Sequence, residues 1–485
     1  MMLHIKKYFD WYIVFFLCII SALFLFYRLG AFPLSDWDEG IYSNISGEIA
    51  RSHSWGSFHL QGTAWYEKEP IGFWAMALSL KVFGFSAFAL RFPAALMSIF
   101  LAPCFFLIAR KFFRRDLSVV LSGLFLFSPV LWHAHMLKTA DLDALSLSFF
   151  MLSFVAYLYA REKKIWWLCA VFLALGFLSR GVLGFVHFFV ILGAEMARPY
   201  FKKERWSIAQ IGLFFFLSFF PWVLWHLYQW KIGGDAYIHI YWVEQFFQRI
   251  STAVQGHRGG ALYYVDFFVK KLPVWYLFLF GSAIVLNCFF LWKRKKWEDF
   301  FLLLWLLGTL VPPHILTTKL YWYILPAMPA LYLSLGKVLE FGESTFSTKK
   351  YIIWSVYGML SLHCVFLSFS LWRKIHFLPS TDMQVITQAV QSTVPIGAPV
   401  VLRDFQVWNS GKTLPAFYWY LHYEKEYNIF LIDPYSTDRY IRTIEMFPWW
   451  VVSPQVLEIL QHDFPTLHFS ILKKTPSAVF LQMTR

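Results

Sequence analysis

At 485 residues the chain has the length of two or three soluble domains, but 58% hydrophobic residues, only 15% charged residues and a mean hydropathy of +0.52 exclude a soluble globule of that size. The formal charge of +14 does not point to nucleic acid, because the basic residues come in short runs between apolar stretches, where a membrane protein carries its orientation signal. The composition describes a polytopic membrane protein.

The stretch from Met1 to Tyr27 has a basic start and a long apolar run with no small-x-small cleavage site after it, which predicts a retained first span. Apolar runs long enough to cross a bilayer are predicted over 11–29, 88–109, 117–133, 140–160, 165–179, 182–198, 207–228, 273–292, 299–316, 320–338 and 351–372. The cationic clusters Lys6-Lys7, Arg110-Lys111, Arg114-Arg115, Arg161 to Lys164, Arg198 to Arg205, Lys293 to Lys296 and Lys349-Lys350 then fall on one side, which the positive-inside rule makes cytoplasmic. The N-terminus is expected inside and the C-terminus outside.

After the first span comes Ser35-Asp36-Trp37-Asp38-Glu39-Gly40-Ile41-Tyr42, an acidic knot in a chain poor in carboxylates. Ile41, Ile45 and Ile49 recur every fourth position from Trp37, with Ser35 as an N-cap, which predicts an amphipathic helix lying along the membrane surface. Asp36, Asp38 and Glu39 alternatively read as cap and solvated-face residues. A second knot, Trp65-Tyr66-Glu67-Lys68-Glu69-Pro70, follows about thirty residues later by the same count along the chain. Asp141 and Asp143 stand at the mouth of the fourth span, where an ionisable group is expensive. Two residues apart on a helix they point in different directions, so one is expected to face a cavity and the other to serve as cap. Arg180 lies between two apolar runs, where snorkelling is the ordinary explanation and an anion anchor the sharper one. His257, Arg258 and Lys319 lie on outer loops, where solvated polar residues are usual.

The five cysteines, all inside apolar stretches with no CxxC or Cys/His spacing, predict neither a disulfide framework nor a zinc site. The 55 Phe and 24 Trp are expected mostly at lipid-facing and interfacial surface. From about Leu378 the spans stop, and Pro399 to Leu402, Ile429 to Ile432 and Trp449 to Val452 alternate as short strands between turns. Ser453-Pro454 opens a helix over Gln455 to Gln461, and His468 to Leu472 with Ala478 to Gln482 reads as a closing hairpin. The chain therefore divides into a transmembrane domain, 1–375, with outer loops 30–87 and 229–272, and a soluble extracytoplasmic α/β domain, 376–485.

In this order along the chain the residues carry a resemblance. Asp38-Glu39-x-x-Tyr42 resembles the acidic motif of the polyprenyl-phosphate-dependent C-type glycosyltransferases, the group that includes protein O-mannosyltransferases and the bacterial aminoarabinose transferase of lipid A. Tyr66-Glu67-Lys68-Glu69-Pro70 resembles their Tyr-x-(Glu)-Lys-Pro-Pro motif, Arg91-Phe92-Pro93 their Arg-x-Pro, and Asp141 or Asp143 the aspartate opening the fourth span. Gly176 to Gly181 resembles Gly-x-x-(Thr)-Lys-Gly, and Thr318 to Pro329 resembles Ser-x-x-Lys-x-x-Tyr-x-x-Pro-x-x-Pro. Glu69 departs from the family proline, and Arg180 replaces its lysine, keeping the charge while turning a point donor into a fork. The resemblance covers about residues 1–340 and implies an all-α polytopic membrane fold of about eleven to thirteen helices, a length the span count above accommodates.

It also implies transfer of a sugar from a polyprenyl-phosphate donor to an extracytoplasmic lipid, glycan or protein acceptor, with inversion, in a bacterial cytoplasmic membrane. Such a reaction needs cations where the leaving phosphate gathers charge and a carboxylate to take the acceptor's proton. Asp38 is the expected base, with Glu39 beside it and Asp141 or Asp143 supporting orientation. Lys68, Arg180, Arg258 and Lys319 are the expected phosphate cations. Glu67 and His257 line the cavity and are the ligand types for a divalent cation, which nothing in their spacing requires. Tyr42, Tyr66 and Tyr323 complete the expected site. A transporter or flippase of lipid-linked sugars is the competing reading, but no inverted repeat is visible and the charges gather at one face.

Overall fold

A computed structural model of the chain describes all residues except 1, 36–37, 133–135, 162, 254–256, 346–349, 377–381, 404–415, 417–418, 425–427, 432–447, 477 and 485. Each predicted span contains helix, because an isolated backbone in lipid satisfies its N–H and C=O groups only by coiling, although the one expected over 117–133 is helical only as far as Leu126. They are α1 (Met2–Phe26), the consecutive helices α4 (Ala87–Ser98) and α5 (Leu101–Phe112), α6 (Arg115–Leu126), α7 (Leu142–Ala160), α8 (Leu168–Ala197), α9 (Ile208–Tyr237), α12 (Trp275–Arg294), α13 (Trp297–Ile315), α14 (Met328–Thr345) and α15 (Lys350–His376). Among the described residues eight helices are long and apolar enough to cross a bilayer.

α8 is a helical hairpin, as the two spans predicted over 165–179 and 182–198 require. Arg180 leaves the helix (φ −160°, ψ 81°), and Phe177 meets Phe185 with ring centroids 5.2 Å apart. Eight residues along an unbroken helix would separate them by about 12 Å. α9 turns back in the same way at Gly234, whose φ of +53° and ψ of −135° suit glycine. The reversal brings Tyr237 against His226 and lays the π-helical turn Ile238–Gln248 over the outer end of α9, continuing into the short α10 (Arg249–Ser251).

Ion pairs tie one end of the bundle. Asp10 accepts from Arg110 (3.3 Å) and Arg115 (2.6 Å), Arg161 holds the buried Glu195 (2.7 Å), and Lys203 meets Glu298 (2.6 Å). These are the predicted cytoplasmic clusters, and the acidic knots lie at the other end. The aromatic side chains divide between the expected surface, where Phe15, Phe278 and Trp292 are exposed, and the core. Phe105 stacks on Phe125 at 4.5 Å and Phe154 meets Trp305 at 4.3 Å, all four buried in the main core, because helices inside a large bundle pack against one another and not only against lipid. The five cysteines are free.

The helix α2 (Asp38–Ser52) exists as predicted, but it does not lie along a lipid surface; Asp36 and Trp37, expected at its start, lie outside the described residues. Tyr42, Ile45 and Ile49 pack with Phe73 of α3 (Ile71–Phe83), while Gly40 and Gly47 on its other side meet Ala416 and the rings of Trp419 and Tyr423. The small-residue stripe Gly40, Ser43, Gly47 is what lets the second domain close on the helix, so α2 is buried on both sides.

That second domain is a five-stranded sheet in the order β4-β3-β5-β7-β6. β3 (Pro399–Arg403) is parallel to β4 (Asn428–Leu431) and β5 (Trp449–Val452), and β6 (His468–Lys474) with β7 (Val479–Thr484) forms the predicted antiparallel hairpin. Val400 and Leu402 point with Phe480 toward α16 (Asp382–Thr393) and α2, while Val401, Trp450 and Leu481 point toward the helix Pro454–Asp463, the period-two alternation of a sheet buried on both faces. Arg51 of α2 adds a cation–π contact with Tyr423 at 4.5 Å, so the sheet domain sits at the end of the bundle that carries the acidic knots.

Candidate active site

Asp38 opens α2 half-buried, and around it the fold gathers six groups from five places in the chain. Tyr42, Glu67, Lys68, Arg180, His257 and Tyr321 all stand within electrostatic reach of its carboxylate. Arg180, released by the α8 turn, donates to Asp143, the first-turn acid of α7. Asp141 takes the N-cap position of α7 with extended backbone and makes no side-chain cap bond; like Asp143 it is buried and within reach of Tyr42 and Tyr321. The two aspartates therefore do not divide into cap and site: both turn inward, because the turn before α7 packs beneath α2.

Glu39 departs from its expected catalytic part. Arg91 grips both of its oxygens, Nε to Oε1 at 2.7 Å and a terminal nitrogen to Oε2 at 2.9 Å, and the backbone N–H groups of Ser35 (2.8 Å) and Ala140 (2.8 Å) fill the remaining acceptor positions. Both side chains are 1% exposed. Burial alone would raise the Glu39 carboxyl, but the guanidinium and the N–H donors hold it below the usual range. It is the clamp between α2, α4 and the start of α7, adjacent to the reacting groups rather than among them.

Lys68 reaches Gln245 Oε1 (3.4 Å), Gln245 donates to Glu67 (3.0 Å), and Arg249 Nε donates to the same Gln245 oxygen (3.0 Å) while another of its nitrogens reaches the Tyr323 hydroxyl (3.1 Å). Burial, with Arg249 and Arg180 nearby, pulls the Lys68 ammonium down to about 8 against the opposing pull of Glu67 and Asp38. Burial pushes the Glu67 carboxyl up. Lys68, Arg180 and Arg249, close to one another, line a cavity of about 210 Å³ together with Val186, Phe246, Ile250, Pro312 and Leu316. Cations and apolar walls in one cavity suit an amphiphilic anion. Glu69, where the family pattern has proline, is buried in the same cavity and accepts from Tyr241.

Three other expected residues sit differently. Lys319 spends its ammonium on the carbonyls of Pro313 (3.0 Å) and His314 (2.5 Å), ending α13, because four unpaired carbonyls at a helix terminus draw a nearby cation. Arg258 is exposed and bridges backbone to backbone with Thr318; it is not among the described residues lining the cavity. Tyr66 packs its ring on Tyr237 at 5.8 Å, bracing the α9 turn. The structure adds Arg249 and Gln245, which sequence reasoning missed. Their signal was present as an i,i+4 polar pair inside an otherwise aromatic loop.

Residues 67–225 match the family described as dolichyl-phosphate-mannose-protein mannosyltransferase. A relative in Wigglesworthia glossinidia brevipalpis, the undecaprenyl phosphate-alpha-4-amino-4-deoxy-L-arabinose arabinosyl transferase, is 25% identical over 338 residues, 68% of this chain and 59% of that protein. The crystal structure of ArnT from Cupriavidus metallidurans bound to undecaprenyl phosphate superposes with a TM-score of 0.74 at 14% identity, covering 96% of this chain and 97% of that one. The chain has the C-type glycosyltransferase fold. The breadth of that fold is visible in the archaeal oligosaccharyltransferase AglB from Archaeoglobus fulgidus, which superposes at a TM-score of 0.55 with 13% identity, over 94% of this chain and 70% of that one. The chain spans 55% to 62% of the length of the curated relatives it matches, and the family match over residues 67–225 includes Glu67, Glu69, Asp141 and Asp143.

Proposed function

We propose that this protein is an integral membrane glycosyltransferase that moves a sugar from a polyprenyl-phosphate donor to an acceptor on the extracytoplasmic side of a bacterial cytoplasmic membrane. The observation that carries the reading is one cavity lined both by the neighbouring cations Lys68, Arg180 and Arg249 and by apolar residues of α8, α13 and the Ile238–Gln248 turn. A lipid phosphate fits both halves: the cations meet the anionic oxygens, and the prenyl chain follows the apolar wall toward the bilayer. The acceptor hydroxyl attacks the anomeric carbon from the face opposite the phosphate, the bond from that carbon to the phosphate oxygen breaks with its electron pair on the phosphate, and Asp38 takes the hydroxyl proton. Asp143 orients Arg180, and Tyr323 orients Arg249, so the leaving charge meets donors already in place.

The acceptor is a lipid A, another glycan or a protein, and the sheet domain over α2 shapes its approach. No cofactor is needed for this displacement. Glu67 and His257 would be the residues to hold a divalent cation, and Arg249 within electrostatic reach of both opposes one. The basic clusters around Asp10–Arg110 and Arg161–Glu195 gather at the end of the bundle away from the site, which supports an N-terminus inside and a site outside by the positive-inside rule. Extracting the purified protein and weighing its bound lipids tests the reading. A polyprenyl phosphate, with or without its sugar, is expected; a purified protein that retains none and gains no thermal protection from added undecaprenyl phosphate overturns it.

A further inference from the structure

At the opposite end of the bundle a second cavity of about 470 Å³ opens between the ends of α5, α12, α13 and α14. Its lining carries six cationic side chains against three carboxylates. Each carboxylate is matched: Glu298 by Lys203 (2.6 Å), Glu340 by Arg294 (2.9 Å) and Asp299 by the buried Lys337. That leaves a positive surplus, concentrated where α12 ends. Lys295 adopts left-handed backbone (φ +48°) as the C-cap of α12, and with Lys296 it forms an exposed dibasic corner at the cavity mouth.

We propose that this cavity binds the headgroup of an anionic phospholipid of the cytoplasmic leaflet through its phosphate. The surplus charge calls for an anion, and phosphate oxygens meet ammonium and guanidinium donors well. The position favours a lipid over a free ion. The cavity lies at the cytoplasmic ends of membrane helices, its walls include the rings of Phe112, Phe201 and Trp297, and the exposed Trp292 and Tyr200 flank it as an interfacial belt. Basic pockets between transmembrane helices on this side are suited to anionic headgroups. The three internal ion pairs fix Lys203, Arg294 and Lys337 in the cavity wall before the lipid arrives, so the ordering left to binding falls mainly on Lys295 and Lys296. This site is independent of the sugar donor and rests on the reading given above only for the membrane orientation.

The full chain, reconstituted in nanodiscs of phosphatidylcholine with a minor fraction of phosphatidylglycerol, is released and weighed by native mass spectrometry. Phosphatidylglycerol is expected to be retained in excess over its bulk fraction. The double variant Lys295→Gln, Lys296→Gln, both exposed and so expected to fold, is predicted to lose that enrichment by about tenfold, from the loss of two charges near an anionic surface. Lys203→Gln, on the opposite wall, provides a second variant with the same predicted direction. Undecaprenyl phosphate binding at the outer cavity is expected unchanged in both variants. Equal retention of the two lipids, enrichment undiminished by both sets of variants, or displacement of phosphatidylglycerol by millimolar inorganic phosphate as readily as by added anionic lipid would each overturn the proposal, the last by showing a free-phosphate site.

Discussion

Arg91 and Glu39 face each other as a two-pronged pair, fully buried, fifty-two residues apart in sequence, and the same carboxylate holds the N–H of Ala140 one residue before Asp141. A charge in that setting is tolerated only because its partner is there. Glu39→Ala or Arg91→Ala should therefore destabilise the fold by about 3–5 kcal/mol, the usual cost of stranding one member of a buried pair. Thermal unfolding followed by tryptophan fluorescence in detergent checks this, and an unchanged midpoint in either variant would show the clamp to be dispensable.

Asp38 sits in the same helix but keeps a half-buried carboxylate turned toward Arg180 and Lys68. Asp38→Asn preserves size and hydrogen bonding while removing the proton-accepting charge, so transfer should fall by on the order of a hundredfold to ten-thousandfold with donor affinity retained. Single-turnover assays alongside donor titration measure both quantities. Near-normal transfer would reject Asp38 as the base and leave it a helix-opening residue.

Lys68 loses its proton near pH 8 in the absence of donor, well below an ordinary lysine, because burial and neighbouring guanidinium groups disfavour the charge. Its contribution to phosphate binding is thus complete below about pH 7 and lost as pH rises through 8. Donor affinity should decline across that interval, and Lys68→Ala should bind weakly with the decline abolished. A wild-type affinity that holds constant from pH 6.5 to 9 would contradict the assignment.

A Cβ at Gly47 would stand 2.8 Å from the Trp419 ring and 3.0 Å from Tyr423. Gly47→Leu should push the sheet domain off α2 while leaving the bundle intact, which limited proteolysis at the domain junction would reveal as faster release of a fragment. Resistance equal to the wild type would mean that the rings yield.

Charges at the ends of α1, α5 and α6 meet through Asp10, Arg110 and Arg115, and the sheet domain lies at the other end. A phosphatase fused after the last residue should be active only outside the cytoplasm. Activity of a cytoplasm-dependent reporter at that position would invert the topology and move the proposed site to the wrong compartment.

Hydropathy determined the class of fold, the helices and their alternation, because a twenty-residue apolar run in lipid has no alternative to coiling. Period-two runs located the strands of the sheet domain for the same kind of reason: a sheet buried on both faces still alternates which face each residue serves. Single residues behaved differently. Asp38 and Glu39 are neighbours of the same type, yet one opens the site and the other is consumed by Arg91, a partner that only the approach of α4 supplies. Asp141 and Asp143 both turn inward because of where α7 meets α2, and Lys319 turns from phosphate to helix carbonyls because α13 ends within its reach. Arg249 joined the site through the reversal at Gly234, which folds an outer loop onto α9. Local patterns specify elements through backbone chemistry that each segment carries alone; the use of a charge depends on which opposite charge or carbonyl arrives within about 4 Å, and distant segments decide that.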